Sequence, residues 1–209
     1  LNEYIAPYAE RLKWISNFSG SAGRSIILEN KAYIFVDGRY SYQVRSEVNK
    51  KFFLIKHLKD YWKILEKNLK KNFYIGIDPF HHSYDEFKIL NQIIARKKSK
   101  IHFFNKNPID LFWKNQPCYP KSKVFIHEYK FAGKTSSEKL KHVQSNLLSK
   151  KIDFYILNKL DSIAWLLNIR GNDMIYSPLF LSYAIVPKKG KIQLFVDKYK
   201  INSVEKKNK

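Results

Sequence analysis

The feature that most restricts this chain is that it repeats itself. Trp14 stands six residues before Gly20, and Trp165 stands six before Gly171. Each glycine leads through a turn to a hairpin whose second strand ends in the same three residues, Phe35-Val36-Asp37 and Phe195-Val196-Asp197. Tryptophan and aspartate are 23 residues apart in the first copy and 32 in the second, so a longer turn and strand intervene there. This is a tandem duplication of one unit. At 209 residues the chain has room for two such units.

Hydrophobic periodicity fills in the units. Residues 10–18 read as a short helix with Leu12, Ile15 and Phe18 on one face. Ser19-Gly20-Ser21-Ala22-Gly23 is a turn of small residues. It joins a helix to a strand and has no P-loop lysine, so close packing rather than phosphate binding is expected of it. Residues 24–28 and 32–36 form a hairpin, and Asp37-Gly38-Arg39-Tyr40 turns into a helix carrying Tyr40, Val44 and Val48. Strands at 52–55, 73–77 and 101–104 alternate with helices, one after Asp60 and one opened by a capping box of Ser83 and Glu86. Gln116-Pro117-Cys118-Tyr119-Pro120 resists both helix and sheet and marks the linker. Beyond it, Thr135 and Glu138 form a second capping box, 154–157 is a strand, and 179–186 pairs with 192–196 across Pro187-Lys188-Lys189-Gly190. The expectation is an α/β fold: two tandem related domains over residues 1–116 and 117–209, each a mixed sheet flanked by helices.

Residues 160–173 are the most informative stretch. Asp161 or Ser162 can accept the unpaired N–H groups of a helix start, Ile163, Ala164, Leu166 and Leu167 give an apolar face, and Gly171 ends the helix. A buried helix of this kind delivers Arg170, Asn172 and Asp173 to one rim. A plain core helix with a solvated C-terminus accounts for the same residues and stays open.

Thirty-nine basic against eighteen acidic residues give a net charge of +21, which invites a nucleic-acid reading. Only six of the basic residues are arginine, and the lysines are spread through every segment instead of forming a stripe. Lys, Asn, Ile, Phe and Tyr share AT-rich codons, so genome composition is the simpler cause, and no specific nucleic-acid partner is expected. No apolar run approaches the ~20 residues of a membrane span, and Leu1-Asn2-Glu3 does not open like a signal peptide. A lone Cys118 excludes an internal disulfide framework and suits a reducing compartment, so a cytoplasmic location is expected. His81 and His82 are adjacent, and on a helix they would diverge by about 100°, which is poor geometry for one metal.

Five blocks, in order and with compatible spacings, carry a family resemblance. They are Glu3-Tyr4-Ile5-Ala6-Pro7 with Phe18-Ser19-Gly20-Ser21-Ala22-Gly23, Val36-Asp37-Gly38-Arg39-Tyr40, Ile75-Gly76-Ile77-Asp78-Pro79, Asn107-Pro108-Ile109-Asp110-Leu111-Phe112-Trp113, and the 160–173 segment continuing to Tyr183-Ala184-Ile185-Val186. Over nearly its whole length the chain resembles the N-terminal domains of the Xaa-Pro aminopeptidases (aminopeptidase P), in the creatinase and methionine-aminopeptidase group. The resemblance implies two creatinase N-terminal domains of ribonuclease-H-like topology, with the first strand and helix of domain I missing before Glu3. It also implies a metallopeptidase that removes the N-terminal residue before proline. In that family a C-terminal pita-bread domain holds two divalent metal ions, usually manganese, through two Asp, one His and two Glu. No such domain follows in these 209 residues, so no catalytic residue, metal ligand or cofactor is expected here.

What the resemblance leaves to this chain is support: packing beside its own C-terminal catalytic domain, helping a homodimer form, and narrowing a cleft for short peptides with proline at the second position. Arg39, Tyr40, Arg170, Asn172 and Asp173 are the candidates for that cleft or interface. Arginine is rare in this lysine-rich chain, and a retained arginine points to its planar, bidentate fork. An internal Arg–Asp pair explains it equally well. Two other classes stay open: an inactive binding module, and a basic nucleic-acid-binding protein, which would need a cluster of acids that the sequence does not offer.

Overall fold

The computed structural model describes residues 4–205, with side chains as far as residue 201. Glu3, which opens the first family block, and the last four residues of the domain expected over 117–209 lie outside the described residues. The chain divides into two units, Glu10–Gln116 and a second made of Leu1–Ala9 with Pro117–Lys209. Sequence reasoning gave residues 4–9 to the first domain. Ala6, only 2% exposed, packs against Leu160 and Met174 of the other one.

In the unit Glu10–Gln116, helix α1 (Arg11–Ser16) stops at Asn17, whose left-handed backbone (φ 65°) turns Phe18 into the core. Gly20 then passes so close that a Cβ there would lie 2.3 Å from Phe18 Cζ and 2.8 Å from Tyr40 Cδ1, which is why the turn is built of small residues. Strands β1 (Gly23–Ile27) and β2 (Ala32–Val36) pair antiparallel, with Gly23 opposite Val36. After α2 (Gln43–Glu47) the chain returns as β3 (Phe53–His57), parallel to β2 with Ala32 opposite Phe53. This sheet is therefore mixed, in the order β1-β2-β3. Next come α3 (Tyr61–Asn68), β4 (Tyr74–Ile77), α4 (Tyr84–Lys97), β5 (Lys100–Phe103) and α5 (Pro108–Phe112), with β4 and β5 paired in parallel. The box of Ser83 and Glu86 caps α4 as expected.

All five residues of β2 are buried, because both of its faces are covered. Ala32, Ile34 and Val36 pack with Phe18, Val44, Val48 and Phe53. On the opposite face Tyr33 and Phe35 meet Tyr61 and Leu65 of α3 and Leu90 and Ile93 of α4. At roughly 1.5–3 kcal/mol for each large apolar side chain fully withdrawn from water, this strand is the main anchor of the unit.

The second unit contains β6 (Phe125–Ile126), α6 (Tyr129–Ala132), α7 (Ser136–Ser149), β7 (Phe154–Leu157), α8 (Leu160–Leu167), β8 (Ile169–Arg170), β9 (Tyr183–Pro187), β10 (Gln193–Phe195) and α9 (Lys198–Glu205). Thr135 and Glu138 cap α7 as expected. β6 pairs with β8, and the main sheet runs β10-β9-β7; every pairing among the described residues of this unit is antiparallel. One face forms the core, where Leu157, Ala184 and Val186 pack with Leu147 of α7 and with Ile163 and Leu166 of α8. The strand expected from residue 179 begins only at Tyr183. Upstream of it the backbone is committed elsewhere: Gly171 N donates to Pro178 O, Asp173 N to Leu179 O, and Leu181 N to Asp173 Oδ2.

Candidate functional site

The Arg39–Tyr40 turn grows from the end of β2. Asp37 Oδ1 accepts the Arg39 backbone N–H at 3.0 Å and so caps a short 3₁₀ turn, Gly38–Tyr40. The Arg39 guanidinium folds back to the same oxygen, Nε to Oδ1 at 3.0 Å, and lies 5.6 Å from the Tyr40 ring centroid. The Arg39 backbone N–H, then its side chain, hold the Asp37 carboxyl below the usual carboxylate range. Tyr40 packs edge-on against Phe18, and its hydroxyl meets Ser21 Oγ at 2.8 Å. Arg39 thus combines a local partner, Asp37, with a side chain 73% exposed.

Glu47 steadies the neighbouring turn. It accepts from the Ser19 N–H at 2.8 Å, the Ser19 hydroxyl at 2.7 Å and Gln43 Nε2 at 2.9 Å. Burial alone would raise its pKa, but the bonds from Ser19 and Gln43 outweigh that and bring it below its ordinary value. Two further family blocks of this unit meet directly. Asp78 and Asn107 each cap a turn that opens with proline, and Asn107 Nδ2 donates to Asp78 Oδ2 at 2.9 Å.

In the second unit the 160–173 segment is turned inward more than its sequence suggests. α8 starts at Leu160 with no side-chain cap, and Asp161 sits inside the first turn, accepting from Ser162 N. The helix ends at Asn168 in a left-handed conformation (φ 52°). Arg170 Nη1 then reaches back to the Ala164 carbonyl at 2.8 Å and the Ile169 carbonyl at 3.0 Å. Lys139 joins it, donating to Trp165 O at 3.0 Å and Asn168 Oδ1 at 2.6 Å. Two cations at the C-terminal end of one helix satisfy its free carbonyls and oppose its dipole. Burial, and then the charge of Arg170, push the Lys139 pKa down.

Asp173 does not reach the rim, being only 3% exposed. Its carboxylate accepts from Ser122 Oγ, from Leu181 N at 2.7 Å and from Lys200 Nζ at 2.5 Å, in an ion pair with both side chains fully buried. Lys200 also lies 4.9 Å from the Tyr119 ring centroid. Of the three candidates here only Asn172 is exposed; its backbone N–H donates to Ser122 Oγ. Arg39 and Tyr40 lie together in one unit, and Arg170, Asn172 and Asp173 in the other.

The residues that sequence reasoning missed are Lys139, Lys200 and Ser122. In a chain this rich in lysine, a buried lysine carries no sequence mark of its own. Tyr119 also lines a cavity of about 400 Å³, with Tyr8, Leu181, Tyr183, Phe195 and Asp197 among others. Burial, then the Tyr8 phenol and the carboxylates of Asp197 and Asp173, push the Tyr119 pKa up to about 12. Among the described residues no three His, Cys, Asp or Glu side chains gather so as to hold a metal ion, so these residues do not fit a di-nuclear centre. Among them, too, no helix is long and apolar enough to cross a membrane.

Known proteins share both the sequence and the geometry of these units. Sequence models described as the creatinase/prolidase N-terminal domain match twice, over residues 3–102 and 115–209. The chain is 34% identical over 212 aligned residues to a probable Xaa-Pro aminopeptidase P of Paracoccidioides brasiliensis (strain Pb18), covering 99% of this chain and 34% of that protein. A probable Xaa-Pro aminopeptidase P of Neosartorya fischeri is 35% identical, covering 96% of this chain and 31% of the relative. The crystal structure of an X-prolyl aminopeptidase from Caenorhabditis elegans, described as a cytosolic enzyme with a di-nuclear active site, superposes with a TM-score of 0.89 at 28% identity, covering 99% of this chain and 34% of that one. The chain thus spans about a third of the length of the relatives it matches.

Proposed function

Because this chain belongs to the creatinase/prolidase family as two of its N-terminal domains in tandem, we propose that it is the non-catalytic N-terminal portion of a metal-dependent Xaa-Pro aminopeptidase. The observation that carries this reading is the superposition of 99% of the chain on the C. elegans X-prolyl aminopeptidase at a TM-score of 0.89. In this reading the hydrolysis of the bond before proline belongs to a C-terminal catalytic domain with two divalent metal ions, expected to be manganese. Such ions would supply Lewis-acid chemistry and an activated water in that domain, not in these two units.

The two N-terminal units then contribute rigid walls. A cleft that admits only short peptides needs side chains that hold their position, and Arg39 and Tyr40 are held by Asp37, Phe18 and Ser21. Arg39 and Asn172 are the exposed candidates of the two turns, placed where a catalytic domain, a peptide or a second subunit would meet them. Arg170 and Asp173 act one step back, fixing the turn that presents Asn172. A homodimeric, cytoplasmic enzyme acting on peptides with proline second completes the proposal.

The test is direct. The longer protein, supplied with manganese, should hydrolyse an X-Pro peptide, and the 209-residue chain should not. Turnover by the 209-residue chain, or none by the longer protein, overturns the reading.

A further inference from the structure

Strands β9 and β10 pair antiparallel, and their register sets Tyr183 directly opposite Phe195. Aromatic side chains opposed in this way form one continuous wall. Both remain more than half exposed, Tyr183 at 63% and Phe195 at 51%. A second wall comes from two segments far apart in sequence. Tyr8, in the turn Pro7–Ala9, and Tyr119 meet edge to face, with ring centroids 5.0 Å apart and planes inclined at 61°. The two walls line the cavity of about 400 Å³, a volume within the range of small-molecule sites. Two residues past Phe195, Asp197 brings a carboxylate to the same cavity.

The charge at this spot runs against that of the chain as a whole. The net charge is +21, yet among the described residues Asp197 is in no ion pair and has only the Tyr199 hydroxyl, at 3.4 Å, as a side-chain partner. The cation on Tyr119 does not answer it. Lys200 lies 4.9 Å from that ring centroid, but Asp173 matches its charge in a fully buried pair. Two phenols report the sign of what remains. Burial, then the Tyr8 phenol and the carboxylates of Asp197 and Asp173, push the Tyr119 pKa up to about 12. Burial, then Asp197, raise that of Tyr199 as well. Both hydroxyls therefore stay neutral near pH 7, in a field that is negative.

We propose that this cavity binds a small organic cation, an N-alkylated ammonium whose methyl groups lie against the rings of Tyr8, Tyr119, Tyr183 and Phe195 and whose charge is met by Asp197. The negative faces of aromatic rings attract a cation and ask for no hydrogen bond in return. A primary ammonium fits less well, because it brings three N–H donors that each need an acceptor once water leaves, and Asp197 already shares an oxygen with Tyr199. An anion would face Asp197, and a neutral apolar ligand would cover that carboxylate and leave it unanswered.

Binding is read without any peptide hydrolysis, so this proposal and the peptidase reading stand or fall separately. The test is calorimetric titration of the 209-residue chain and of the longer protein with choline, with its neutral carbon isostere 3,3-dimethyl-1-butanol, and with ethanolamine. Choline should bind both proteins saturably and about tenfold or more tightly than either of the other two. Tyr183→Phe keeps the ring and should hold the affinity within about twofold, whereas Tyr183→Leu and Asp197→Asn should each weaken it about fivefold or more. Tyr183 is exposed, so its two variants should melt with the wild type, which separates lost binding from lost fold. Equal binding of choline and the isostere would make this a plain apolar pocket and overturn the proposal. So would tighter binding of ethanolamine, indifference to Asp197→Asn, or the absence of saturable choline binding in either protein.

Discussion

Phe35 and Phe195 end the same strand of the same repeated unit, yet one is fully buried and the other half exposed. The difference does not come from the strands or from the helix on the inner face, because α1 and α8 occupy equivalent places in the two copies. It comes from the chain beyond each hairpin. In the first unit β3 extends the sheet and α3 and α4 cover the face of Phe35, and in the second unit only α9 lies beyond the hairpin among the described residues. In the first unit the inner face is covered from nearby sequence, whereas the cover of Phe35 comes from α3 and α4, far downstream of β2.

The turn after the repeated Phe-Val-Asp sharpens the contrast. Tyr40 N donates to Asp37 O, and Lys200 N donates to Asp197 O, so the backbone makes the same turn twice. The fourth residue of the turn differs. Tyr40 packs on Phe18, while Lys200 is buried on Asp173 and Tyr119.

The largest expected effect is the asymmetry itself. In the 209-residue chain Phe35→Ala should cost about 3–5 kcal/mol, as for a large aromatic removed from a filled core, whereas Phe195→Ala should cost under ~1 kcal/mol, as for a surface change. Denaturant unfolding of the two variants measures it. Next in size, Lys200→Met leaves the Asp173 carboxylate buried without its cation and should cost roughly 3–4 kcal/mol, moderated by the bonds it keeps from Ser122 and Leu181. The matching turn of the first unit has no equivalent liability, since the Asp37–Arg39 pair is open to water.

Glu47→Gln should cost about 1 kcal/mol near neutral pH, allowing for solvent screening of a half-exposed carboxylate. Its pKa is depressed in the folded chain, so its contribution is fully present above the unfolded value of 4.5 and is lost as pH falls through the lower folded value. Melting curves of wild type and variant should therefore converge below pH 4.5. At the small end, Arg39→Lys should leave the melting of the 209-residue chain unchanged while lowering peptide turnover or dimer affinity of the longer protein about tenfold, because lysine lacks the bidentate fork. Loss of fold in the chain with unchanged activity in the longer protein would make Arg39 a purely internal partner.

Much of the fold was legible because local chemistry governs it. Both capping boxes and the β2 strand lie where their residue types place them. The candidate site was legible only in part. Arg39 stood out as a rare arginine and is indeed at a strand end, but nothing local to Asp173 discloses that Lys200, 27 residues later, will bury it. Nor does the run of residues 179–182 disclose that Asp173 will take its backbone N–H and delay the strand to Tyr183. Long-range pairing of polar groups leaves no periodicity to read.

The most direct test is the cost of Phe35→Ala and Phe195→Ala side by side in the 209-residue chain. The account predicts about 3–5 kcal/mol for Phe35→Ala, whose side chain is fully buried, and under ~1 kcal/mol for Phe195→Ala, whose side chain is 51% exposed. Equal costs would contradict it, because the repeated residue would then sit in the same surroundings in both units.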